Sequence, residues 1–117
     1  MRFFLDASVD GEVGTQLEAL GHRIERALPA EPEPGTAGLL QGVAKLGAQL
    51  VTADKAIIRA IYAESLHFNG IIIFLQGSPV TVANLFERFP MLKAGRLYTL
   101  TARKVKIRQL PQLRQRA

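Results

Sequence analysis

Cysteine is missing from the 117-residue chain, which excludes disulfide scaffolds, thiol nucleophiles and cysteine-ligated zinc or iron–sulfur centres. Histidine is scarce. His22 and His67 form neither His-x3-His nor His-Glu-x2-His, so the spacing of an imidazole zinc site is absent as well. Long apolar runs are also lacking. The longest, residues 71–75, is too short to cross a bilayer, and the N-terminal segment meets Asp6 directly after Phe3, Phe4 and Leu5, far short of a signal-peptide core. The absence of cysteine leaves the redox compartment open, and the default expectation is a cytoplasmic protein with no membrane partner. No internal repeat occurs, and the one biased patch, the proline-rich residues 29–35, is predicted as a stiff loop.

Acidic residues vanish after Leu92. From Lys93 onward there are eight basic side chains and no carboxylate, which leaves seven basic against ten acidic residues before that point. The net charge of +5 is therefore +8 in the C-terminal quarter against −3 in the body. Two readings follow. The segment meets a polyanion, most often a nucleic acid, or it is a solvated edge hairpin with a basic tail. With 48% apolar and 21% charged residues, a chain of this length folds as one domain around an ordinary core. We assign residues 1–110 to that domain and 111–117 to the tail.

The apolar pattern predicts alternating strands and helices. Residues 2–6 form a continuous strand buried on both faces. A helix follows, with Ser8 as a candidate cap, Asp10 and Glu12 in its first turn, Val9, Val13, Leu17 and Leu20 at helical spacing, and Gly21 as its stop. Residues 22–27 read as an edge strand, and residues 37–46 as a helix capped by Thr36 and stopped at Gly47. Strand 49–52 runs into Asp54, a cap for a helix whose Ile57, Ile58 and Ile61 face inward, and Asn69-Gly70 breaks the chain. Strand 71–75 precedes Ser78-Pro79, a helix start, and the helix ends at Pro90. Residues 96–101 and 104–108 alternate as an antiparallel hairpin. This order predicts a three-layer α/β/α domain with a mostly parallel, doubly wound sheet and a C-terminal antiparallel hairpin.

In such sheets ligands bind beyond the carboxyl ends of the strands, at the switch point. Asp6 and Asp54 each close a predicted inner strand. If those strands are neighbours, two carboxylates share a crevice, and like charges there call for a cation or a proton. Oxygen ligands of this kind suit Mg2+ or Mn2+, which can activate water against a phosphodiester. Ser8 can hold a ligand or a water, and Lys55 can meet a phosphate or offset the acids. The alternatives are plain helix capping for Asp54 and Asp10. Tyr98 is a candidate stacking platform within the basic hairpin. His22 reads as a turn residue.

Phe4-Leu-Asp-Ala-Ser-Val9 resembles the opening strand of PIN-domain ribonucleases. Leu20-Gly-His22, Leu50-Val-Thr-Ala-Asp54, Gly70-Ile-Ile-Ile-Phe74 and the closing hairpin then follow in the order of the short, stand-alone, VapC-like PIN proteins of bacterial toxin–antitoxin operons. The resemblance implies a PIN-like fold and an Mg2+- or Mn2+-dependent endoribonuclease toxin. Asp6 and Asp54 would stand at metal-binding and catalytic positions, and Arg103, Lys104, Lys106 and Arg108 would hold RNA. It also implies silencing by a cognate antitoxin protein and, by analogy, a homodimer. Two acids usual in the family are absent, since Thr36-Ala37-Gly38 and Ala56-Ile57 occupy their places. Glu33 or Asp10 are candidate substitutes. The alternatives are a catalytically inactive module that binds nucleic acid or protein and, last, a receiver-like signalling domain, which wants two acids after the first strand where this chain has Asp6 and Ala7.

Overall fold

The computed structural model describes residues 1–28, 35–76 and 82–112. The proline loop with Glu33, the Ser78-Pro79 helix start and most of the basic tail lie outside them. The expected fold class holds: six strands form one sheet in the order β2-β1-β3-β4-β5-β6. The strands are β1 (Arg2–Leu5), β2 (Arg23–Glu25), β3 (Gln49–Thr52), β4 (Ile72–Leu75), β5 (Arg96–Leu100) and β6 (Val105–Gln109). β1 to β5 pair in parallel, and β6 returns antiparallel to β5 with Leu100 opposite Val105. The helices are α1 (Gly11–Ala19), α2 (Thr36–Lys45), α3 (Lys55–Ala63) and α4 (Val82–Arg88).

Strand periodicity sorts the core into two halves, because successive side chains point to opposite faces. Phe3, Leu5, Val51, Ile73, Tyr98 and Leu100 pack with Val13 and Leu17 of α1 and Val82 and Leu85 of α4. Phe4, Leu50, Ile72, Phe74 and Leu97 pack with Leu40 and Val43 of α2 and Ile61 of α3. A sheet covered on both faces needs strands apolar at every position, which is why β4 reads as an unbroken run and is buried throughout.

Several local expectations change. Asp10, not Ser8, caps α1: its carboxylate accepts from the Glu12 N–H at 3.0 Å. The chain makes a turn over residues 7–9 before the helix begins, so Ser8 lies outside the first helical turn. Thr36 caps nothing, because Gly35 holds the N-cap position of α2 with φ of 90° and no side-chain bond. The first residue of α4 is held from another element, with the Val82 N–H donating to Gln16 Oε1 of α1 at 3.1 Å. Tyr98 is no stacking platform. It is 2% exposed, and its hydroxyl accepts from the Lys93 N–H at 2.8 Å.

His22 does serve a turn. Its N–H donates to the Leu17 carbonyl at 3.0 Å, completing the C-terminal cap that Gly21 opens at φ of 90°. Its ring packs edge-on to Phe3 and against Phe86. Burial holds its pKa below the ordinary imidazole value, assisted by the N-terminal ammonium. No helix among the described residues is long and apolar enough to cross a membrane.

Candidate functional site at the switch point

The strand order reverses between β1 and β3. β1 leads out to β2 on one side, and β3 leads on to β4 and β5 on the other. Leu5 lies opposite Val51, so Asp6 and Thr52 are the next pair along the two strands, and the Asp6 N–H still donates to the Val51 carbonyl at 3.3 Å. The two expected acids therefore come from adjacent strand ends at the crevice where a doubly wound sheet binds its ligands.

A knot of hydrogen bonds joins them. Asp6 Oδ1 accepts from the Ser8 N–H at 2.8 Å and from the Ser8 hydroxyl, and Asp6 Oδ2 accepts from the Thr52 hydroxyl. Each hydroxyl then turns its lone pair to the β3–α3 connection. Ser8 Oγ accepts from the Ala53 N–H at 3.0 Å, and Thr52 Oγ1 accepts from the Asp54 N–H at 3.1 Å. One carboxylate thus orients two hydroxyls that each fix a backbone amide, and those amides set where Asp54 stands. Thr52 is fully buried, and its hydroxyl is satisfied on both sides, as such a relay requires.

Asp54 is the N-cap of α3, with Oδ1 accepting from the Ala56 N–H at 2.9 Å. Capping occupies one oxygen, and Asp54 as a whole is exposed. The lone pairs left over are limited. Asp6 Oδ1 already accepts two bonds, Asp6 Oδ2 one, and Asp54 Oδ1 one. A hydrated Mg2+ or Mn2+ keeps several waters and takes one or two carboxylates, so Asp6 and Asp54 are the residues that would hold one. They do not fit a pair of ions, which needs more ligands. Among the described residues, no three histidine or acidic side chains gather where a metal could sit. Asp10, as the α1 cap, has its own task, and Lys55 is exposed as the first residue of α3.

The four basic residues expected to hold nucleic acid divide into two groups. Arg103 and Lys104 lie in the β5–β6 turn, at the same carboxyl edge as Asp6 and Thr52. That turn is pinned by Thr101, whose hydroxyl donates to the Lys104 carbonyl and accepts from the Lys104 N–H. Lys106 and Arg108 lie on β6 itself. The Arg108 guanidinium sits 3.5 Å from the ring centre of Tyr62 on α3, and the Tyr62 hydroxyl donates to the Gln109 carbonyl at 2.9 Å. Burial raises the Tyr62 pKa, with Arg108 pulling it the other way, so the phenol stays a donor. Arg108 thus ties the edge strand to α3, on the face opposite the one that Val105 covers. A basic, alternating strand gives no sign in sequence that one of its cations rests on an aromatic of a distant helix.

These features define an open, mostly parallel α/β protein with a polar hydrogen-bonded cluster at the switch point and a basic turn at the same edge of the sheet. Comparison with family models, with curated proteins and with solved structures finds no match.

Proposed function

We propose that the chain is a PIN-like endoribonuclease, the toxin of a type II toxin–antitoxin pair, that uses Asp6 and Asp54 to hold one Mg2+ or Mn2+. The observation that carries this reading is that both acids follow the carboxyl ends of adjacent parallel strands, β1 and β3, where the strand order reverses. The bound ion would supply an activated water and offset charge developing on phosphorus. The chain's own groups have separate tasks. Thr52 and Ser8 hold the Asp6 carboxylate in place, and the α3 N-terminus fixes Asp54. Lys55 offers a charge to the scissile phosphate, while Arg103 and Lys104 hold the RNA backbone at the same edge. The toxin role, the antitoxin and a homodimer rest on the order of the matched segments. A cytoplasmic location rests on the absence of cysteine and of a signal-like segment in the sequence.

A second reading has its own observation. The oxygens of Asp6 are largely taken by Ser8 and Thr52, and no third acid joins the site among the described residues. This favours a PIN-like module that binds nucleic acid or protein without cutting. One experiment separates the two. Single-stranded RNA is incubated with the protein in Mn2+ or in EDTA, beside Asp6→Asn and Asp54→Asn. Catalysis predicts cleavage in Mn2+ that falls at least ~100-fold in either variant. Equal cleavage by the variants, or none by the parent, overturns the catalytic reading.

A further inference from the structure

A polar concavity lies apart from the carboxylates. Between α4 and the β5–β6 turn is a groove of about 220 Å3, walled by Asn84, Glu87 and Arg88 on one side and by Thr101, Arg103 and Lys104 on the other. Its floor is closed by Leu85 and Leu100, both fully buried in the core, so a ligand meets the polar walls. Asn84, Glu87, Arg88, Arg103 and Lys104 are all exposed. Among the described residues, none of the three cations forms an ion pair, not even with Glu87 in the same wall. Three cations that form no ion pair among the described residues line this groove together with the neutral amide of Asn84.

We propose that this groove is a subsite for the sugar–phosphate backbone of a single nucleic-acid strand, held by Arg88, Arg103 and Lys104. The chemistry selects phosphate over base. Cations and an amide donor line the groove, and no exposed aromatic stands there to stack a base. Position agrees. The groove lies beside the end of β5, two strand spacings from the end of β3, or about 10 Å. A strand lying across the carboxyl edge reaches both places. The inference deepens the proposed function by adding Arg88 and Asn84 of α4 to the RNA path. It also separates Arg103 and Lys104 from Lys106 and Arg108, which the groove does not include.

The test is fluorescence anisotropy with a labelled single-stranded oligoribonucleotide in EDTA, where binding is read without turnover. Arg88→Gln and Arg103→Gln should each weaken binding several-fold. Each should also lower the slope of log K against log salt by about 0.7, the share of one phosphate contact on a single strand. Arg59→Gln, which removes an equal charge from exposed α3, is the control and should shift neither by as much. Glu87→Gln should tighten binding, a gain that a folding defect does not produce. If Arg88→Gln matches Arg59→Gln and Glu87→Gln leaves affinity unchanged, the subsite is overturned. The catalytic reading fails independently. Loss of binding in the groove variants with no Mn2+-dependent cleavage by the parent keeps the subsite and removes the nuclease. Cleavage that depends on Asp6 with unaltered groove variants does the reverse.

Discussion

Thr52 decides more at this site than its size suggests. It is buried without exposure, donates to Asp6 and accepts from the Asp54 N–H, so both ends of its hydroxyl are committed. Replacing it by valine keeps the volume but leaves a carboxylate oxygen and a backbone amide short of a partner. Such losses cost about 1–3 kcal/mol, because the desolvated groups stay behind. Thr52→Val should therefore lower the unfolding free energy by that amount, seen as a lower urea midpoint at an unchanged m-value, while Thr52→Ser, which keeps the hydroxyl, should lose less. If Thr52→Val proves as stable as the parent, the relay has no energetic weight. Asp6 was legible in sequence as a carboxylate closing a buried strand. Its partners were not, because Ser8 reads locally as a helix cap, and its pairing with Thr52 is set by strands far apart in the chain.

Helix ends show the same division between local and distant causes. α1 and α2 each close on a glycine in the left-handed region, Gly21 and Gly47, followed by the paired backbone bonds of a C-cap. Both stops were legible, because only glycine enters that region without cost. α3 closes the same way with the wrong residue. Ser65 adopts φ of 50°, its N–H donates to the Tyr62 carbonyl, and the Leu66 N–H donates to the Ile61 carbonyl at 2.8 Å. Serine carries no glycine signal, so the sequence pointed to a break only at Asn69-Gly70, beyond the observed end at Ala63. Tertiary packing explains the early stop, since Leu66 joins Ile61 in the α2–α3 half of the core. A left-handed L-residue costs roughly 1–2 kcal/mol, and glycine gives back part of this through its freer unfolded chain. Ser65→Gly should therefore raise unfolding stability by about 0.5–1 kcal/mol in a denaturant titration. A loss of stability would show that the Ser65 side chain contributes something that the backbone account omits.

For the whole molecule, the element order and the two-sided burial of the sheet were readable from apolar periodicity, whereas the strand order was not. No local pattern states that β1 lies beside β3, yet that adjacency is what assembles the candidate site. The uneven charge gains a third use at this scale. An open sheet has two edges, and unpaired edge backbone invites pairing with another chain unless charge or brevity prevents it. β2 is three residues long with an exposed Arg23. β6 is longer, and Ile107 is 42% exposed on it, so the flanking Lys106 and Arg108 are the residues that discourage edge-to-edge contact. Arg108 is already drawn to Tyr62, which leaves Lys106, exposed and without an ion pair among the described residues, as the charge near the middle of the strand. Lys106→Val creates a continuous apolar, β-branched edge from Val105 to Ile107 and should raise the light-scattering mass of the protein with concentration, above the parent's own assembly state. Lys106→Glu should not, because either sign of charge protects an edge, although it would weaken any contact to RNA. Equal mass for Lys106→Val and the parent across the concentration range would mean that twist or solvation, not Lys106, keeps this edge unpaired.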